Sequence, residues 1–124
     1  MKKSLLFIIC SFAFVLLFTG CGKDNVKPQT TELEITVVNI NYVVQSNAKV
    51  ILYKNYSDWL HSSNSVSTKY TTSSGRVNFT DLETIQYYFD CISSGGTMNN
   101  FHTTYNVSSS LTKNQKTSIT AVIK

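Results

Sequence analysis

The chain is poor in the residues from which catalytic and metal centres are commonly built. Among 124 residues there are two histidines, three cysteines, five glycines and one proline. His61 and His102 are far apart in sequence and form neither an HxH nor an HExxH spacing, so no paired-histidine zinc site is present. No Gly-x-Ser-x-Gly elbow occurs, so the signature of an α/β-hydrolase nucleophile is missing. Charged residues make up only 15% of the chain. Its lysines are scattered, which leaves no basic stripe for nucleic acid. The longest apolar run, Leu5–Phe18, would rise roughly 21 Å as a helix, against ~30 Å for a bilayer core. The length allows one domain and is too short for a doubly wound or barrel enzyme. These shortages predict no metal, no cofactor and no catalytic activity.

The N-terminus carries an address. Lys2 and Lys3 precede the apolar run, and small residues follow it, which is the layout of a secretory signal. Phe18-Thr19-Gly20-Cys21 resembles the bacterial lipobox. The resemblance implies cleavage before Cys21 and acylation of that cysteine, which would attach the chain to a membrane. Several acyl chains give stable anchoring where one gives only marginal binding. The expected organisation is a signal peptide over 1–20, the lipidated cysteine with a flexible tether over 21–31, and a domain over 32–124. Ten tether residues reach at most about 35 Å, and Pro28 lies among them. Lys23-Asp24 resembles the charged signals that direct some Bacteroidota lipoproteins to the cell surface. Loss of Lys2 and Lys3 with the signal leaves the basic and acidic residues nearly balanced. Cys10 leaves with the signal and Cys21 takes the lipid, so Cys91 is the one remaining thiol. No disulfide can support the fold.

From Glu32 onward the hydrophobic period is two. Leu33, Ile35 and Val37 alternate with polar residues, as do Ala48, Val50 and Leu52 with their neighbours. Val66, Thr68 and Tyr70 form a third run, Val77 and Phe79 a fourth, and Ile85, Tyr87, Phe89 and Cys91 a fifth. Phe101–Val107 is a weaker sixth, and Ile119, Ala121 and Ile123 close the chain. Short alternating strands broken by Ser, Asn and Gly turns predict an all-β fold, an antiparallel Greek-key β-sandwich of about seven strands. Cys91 should point into its core. One helical turn is expected near Ser57–Leu60, with Ser57 as a cap. Gly75, in Thr72-Ser73-Ser74-Gly75-Arg76, should take positive φ and close a hairpin with a bulge.

Three blocks carry a family resemblance. Asn47-Ala48-Lys49-Val50-Ile51-Leu52-Tyr53 looks like a strand of transthyretin-like and carboxypeptidase-regulatory-like domains. Thr72–Leu82 and Ile85–Cys91 resemble the two segments that follow it in that family. With Asp58-Trp59, they are similar to small Bacteroidota lipoproteins. The resemblance implies a prealbumin-like or Ig-like sandwich.

Candidate contact residues follow from the aromatics. Tyr42, Tyr53, Tyr56, Trp59, Tyr70, Tyr88 and Tyr105 cannot all fit in so small a core, and rings with polar tips suit recognition surfaces. Trp59, flanked by Tyr56 and His61, is the first candidate. The opposing expectation is that Trp59 folds down and plugs the open end of the sandwich. Asn99, Asn100 and His102 form a second candidate. Asp81, Glu83 and Asp90 lie close enough in sequence for weak Ca²⁺ binding, but the expected role is to keep a turn and a strand face soluble. The expected function is a non-enzymatic interaction or structural module of the bacterial cell envelope. It would be lipid-anchored at the outer membrane, on its periplasmic or surface face, with an envelope protein as partner. Glycan binding through Trp59 and nearby tyrosines is the alternative. A small hydrolase would need His61 or His102 to meet a carboxylate.

Overall fold

In a computed structural model of the chain, the described residues are 30–124 apart from 102, 104 and 105. The signal segment 1–20, Cys21, residues 22–29 and His102 lie outside them. Six strands and one short helix follow in order: β1 (Glu32–Asn39), β2 (Lys49–Tyr53), α1 (Tyr56–Leu60), β3 (Ser67–Tyr70), β4 (Arg76–Phe79), β5 (Tyr88–Ile92) and β6 (Lys116–Ile123). They form two three-stranded sheets, ordered β4-β1-β6 and β3-β2-β5.

The alternation read from the sequence decides what lies between the sheets. Leu33, Ile35, Val37, Val77, Phe79, Ala121 and Ile123 from one sheet face Val50, Leu52, Phe89 and Cys91 from the other. Ala48, Tyr87 and Leu111 close the margins of this core, and Ile119 packs against it half-buried. Burying each large apolar side chain contributes roughly 1.5–3 kcal/mol. Cys91 behaves as a small hydrophobe here, and burial pushes its thiol pKa up to about 12.

Several particulars differ from the sequence expectation. The β1–β6 ladder is parallel over its full length, Glu32 opposite Lys116 through Asn39 opposite Ile123. β5 runs away from the end where β1 begins, and residues 93–115 carry the chain back, so β6 repeats the direction of β1. Such a return needs a long connection, which a hairpin cannot provide. The expected strand over Phe101–Val107 is absent among the described residues. In its place Asn99 and Val107 make isolated bridges, to Ile92 and Tyr88. Val66, Thr68 and Tyr70 mark β3 correctly, yet all three are exposed. Lys69 leans under the strand instead, its Nζ donating to Asn78 O at 2.8 Å and lying 5.4 Å from the Phe79 ring centroid. Thr31 belongs to the domain rather than the tether. It is buried, its Oγ1 accepts the Asn114 N–H at 3.0 Å, and its carbonyl accepts the Leu82 N–H.

The Thr72–Arg76 turn forms as expected, with Gly75 at φ 74°, Gly75 N–H to Thr72 O at 2.9 Å and Thr72 N–H to Arg76 O at 2.8 Å. Its two strands, however, enter different sheets: β3 pairs with β2, and β4 with β1. The turn is therefore the crossover at one edge of the sandwich. Gly75 also has no room for a side chain. An added Cβ would stand 2.8 Å from Val44 Cβ and 3.0 Å from Val37 O. Gly75→Ala should cost about 1–2 kcal/mol from positive φ alone, and more from the contact. Equilibrium urea unfolding checks this, the expected result being a lower midpoint at unchanged slope.

The buried Cys91 thiol gives a second test. Raising a thiol pKa on folding leaves stability intact below about 9 and lowers it as pH climbs toward about 12. A thiol-disulfide reagent at pH 8 should leave Cys91 unmodified in the native protein and label it fully in denaturant.

Candidate functional site

The outer face of the β3-β2-β5 sheet carries the aromatic residues. Alternation places Ile51 and Tyr53 of β2, and Tyr88, Asp90 and Ile92 of β5, opposite the core. α1 lies across them. Its start is set by Asn55, whose backbone is extended and whose carbonyl accepts the Trp59 N–H at 3.1 Å. Ser57 is not the cap. The Asn55 side chain instead donates to Asp58 Oδ2 at 2.9 Å, and Asn64 donates to Oδ1 at 3.0 Å. These bonds hold the Asp58 carboxyl below its usual pKa. The helix is thereby fixed with Trp59 turned toward the sheet.

Trp59 is 6% exposed, stacks on Tyr88 at 5.5 Å between centroids, and meets Tyr56 at 5.6 Å. It covers the outer face of the sheet and does not plug the end of the sandwich. Its indole N–H donates to Asp90 Oδ1 at 2.9 Å. Asp90 is fully buried, so its expected role on a soluble strand face is overturned. Burial first, then the Asp90 charge, raises the Tyr53 phenol pKa above its ordinary value, against a hydrogen bond from Ser62. Tyr56 stays more than half exposed. With Trp59, Leu60, Gln86, Tyr88, Thr103 and Val107 it lines a shallow, largely apolar cleft of about 350 Å³.

The second candidate proves structural in part. Asn100 is buried, and its Oδ1 accepts the Cys91 N–H at 2.6 Å. Its Nδ2 donates to Asn106 Oδ1 at 2.9 Å, and Asn106 Nδ2 donates to Asn100 O and, at 3.4 Å, to Asp90 Oδ1. The Phe89 N–H meets Asn106 O at 3.0 Å. The Asn100 side chain and the backbones of Asn100 and Asn106 thus stand where a neighbouring strand would pair with β5. Asn99 exchanges backbone hydrogen bonds with Lys124. Trp59, Asp90, Asn106 and Asn100 form one hydrogen-bonded chain, so the two candidates are linked through Asp90 and Asn106, which sequence reasoning missed. A signal was available: Asp90 has Tyr88 and Ile92 as its same-face neighbours, an apolar setting that a solvated aspartate rarely occupies.

His61 lies exposed at the end of α1, its Nδ1–H donating to Ser57 O at 2.8 Å. Glu83 pairs with Lys54 at 2.7 Å. Among the described residues no three His, Cys, Asp or Glu side chains gather as a metal site would require.

A second surface lies at the pole farthest from Thr30. Asn39 Oδ1 accepts the N–H groups of Asn41 and Val43, both at 3.0 Å, and Asn39 N–H bonds Val43 O. Tyr42 takes φ 59°. The loop so fixed presents Ile40, Tyr42 and Val43 at 60%, 78% and 55% exposure, with Val44 beside them. Lys49 and Arg76 flank this pole. Among the described residues the acids lie elsewhere: Glu32 and Glu34 early in β1, Asp58 on α1, Asp81 and Glu83 after β4, and Asp90 inside.

No family model matches the chain, and no curated protein does. The fold is similar to that of a streptococcal ancillary pilin, with 17% identity and a TM-score of 0.54 over 78% of this chain and 33% of that one. It is also similar to the group B streptococcus pilus 2b backbone protein, with 13% identity and a TM-score of 0.51 over 76% of this chain and 40% of that one. The chain thus spans a third to two fifths of these proteins. At such identities the likeness concerns the fold, an Ig-like β-sandwich. The transthyretin-like resemblance of the three blocks is met at that coarser level only.

Asp90→Ala should remove the acceptor of the buried indole and cost about 1–3 kcal/mol. Unfolding curves measure the loss, and a red-shifted native emission of Trp59 is the accompanying sign. Trp59→Phe keeps a ring on Tyr88 and should cost less than Trp59→Ala.

Proposed function

We propose that this chain is a lipid-anchored module of the bacterial cell envelope that displays a β-sandwich to a protein partner and performs no catalysis. The observation that carries the reading is the rigid apolar loop Ile40–Val44 at the pole away from Thr30. A tether running from Cys21 to Thr30 would leave that pole facing outward from the membrane. Exposed apolar side chains on a fixed loop, framed by Lys49 and Arg76 and free of acids, suit a protein contact whose rim is acidic. Similarity in fold to two pilins, proteins of bacterial pili, supports a structural or interaction role at the envelope. The lipid anchor rests on the Phe18–Cys21 motif, and the Bacteroidota assignment on Lys23-Asp24 and the sequence blocks quoted above.

Glycan binding is the second reading, favoured by the cleft beside Tyr56. There the contact ring would be the exposed Tyr56, with Trp59 lining the wall behind it. Titration with envelope and host polysaccharides separates the readings. Quenching of Trp59 emission that disappears in Tyr56→Ala would favour the glycan.

Cys21→Ser should move the protein from the membrane fraction to the soluble fraction of the producing bacterium. Mass spectrometry of the wild type should find an N-terminal peptide beginning at an acylated Cys21. An intact first segment would overturn the anchor.

A further inference from the structure

We infer that the free edge of β6 is a self-association site, at which two copies of this chain join their β4-β1-β6 sheets into one continuous sheet across a two-fold axis.

The ladder fixes which groups are available. Glu32 N–H bonds Gln115 O, so the β1 residues with even numbers bond the β6 residues with odd numbers. The N–H and C=O groups of Lys116, Ser118, Thr120 and Val122 therefore point away from β1, along the open edge. None of these groups bonds another described residue. The molecule treats its other edges differently. β5 is covered by Asn100 and Asn106. β3 and β4 are four residues each, and Lys69 takes the Asn78 carbonyl at their margin. β6 runs for eight residues and shows no proline, bulge or inward charge, the devices by which proteins blunt an edge.

The strand also complements itself. An antiparallel pairing centred on Ile119 sets Ser118 opposite Thr120 of the second copy, and Lys116 opposite Val122. Ile119, half-buried in one copy, would meet its own equivalent on the core side and be covered by it. The only charged residue of β6 is Lys116, and this register keeps the two copies of it apart. An isologous contact of this kind closes as a dimer and leaves no new edge. The inference is independent of the lipid anchor and of the partner proposed above.

The test is sedimentation equilibrium on the detergent-solubilised full chain and three variants. Thr120→Pro deletes an edge N–H that β1 does not use. Val122→Lys places like charges opposite each other in this register, and Val122→Glu places a carboxylate opposite Lys116. The expected result is a monomer–dimer equilibrium, weakened by Thr120→Pro and Val122→Lys. Val122→Glu should tighten it by roughly fivefold, since two such pairs form. Circular dichroism melts identify any variant that has lost its fold, and the Val122 pair is exposed enough to stand if the proline does not. A monomer at every concentration overturns the inference. So does a dimer whose affinity is the same for Val122→Lys and Val122→Glu.

Discussion

The parallel pairing of the first strand with the last is the contact on which the other features depend. It joins Glu32–Asn39 to Lys116–Ile123, residues from opposite ends of the described chain, and the Asn114–Thr31 hydrogen bond and the Lys116–Glu34 ion pair close the same loop beside it. Once made, it centres Leu33, Ile35 and Val37 in their sheet, with β4 on one side and β6 on the other. The opposite sheet can then bury its apolar face only against this one. Contacts so distant in sequence carry a large closure entropy, so the sandwich belongs to the slow-forming, high-contact-order class.

The β5 edge is covered by an irregular segment rather than by an additional strand. Asn100 and Asn106 supply the hydrogen bonds that a seventh strand would have supplied to β5. They are tied through Asp90 to Trp59, so the cover over one edge and the helix over the neighbouring face support one another. A buried network of this sort is stable only when each member is satisfied. That constraint explains why residues with the composition of a binding loop serve to hold the fold together. The exposed apolar side chains lie elsewhere, on the Asn39 loop and at Tyr56.

Much of the fold is legible in the sequence. Alternation names nearly every inward residue, including Cys91, because a two-sheet core leaves its period in the chain. Gly75 is legible because positive φ restricts the choice of residue. The direction of β6 is not, since a strand reads alike whether its neighbour runs with it or against it. Phe101–Val107 reads as a weak strand because Val107 and its neighbours alternate. An irregular segment that meets β5 through the Asn100 side chain and isolated backbone bonds leaves no periodic trace. Trp59 is legible as important, but whether it faces solvent depends on Asp90, a long-range partner that no local pattern indicates. The loop at Ile40–Val44 gives no signal of its own, because a short apolar run in a loop resembles a strand end until its exposure is known.

The geometry of the two terminal strands also bears on how the domain would carry a load. Tension applied between Glu32 and Ile123 would act along β1 and β6, because the two strands run the same way from one pole to the other. The rungs of their ladder lie across that line, so they would resist in shear and share the strain, rather than break in succession as in an opening zipper. A domain tethered at one pole and gripped at the other would therefore yield abruptly, at a force set by the whole ladder rather than by its weakest rung.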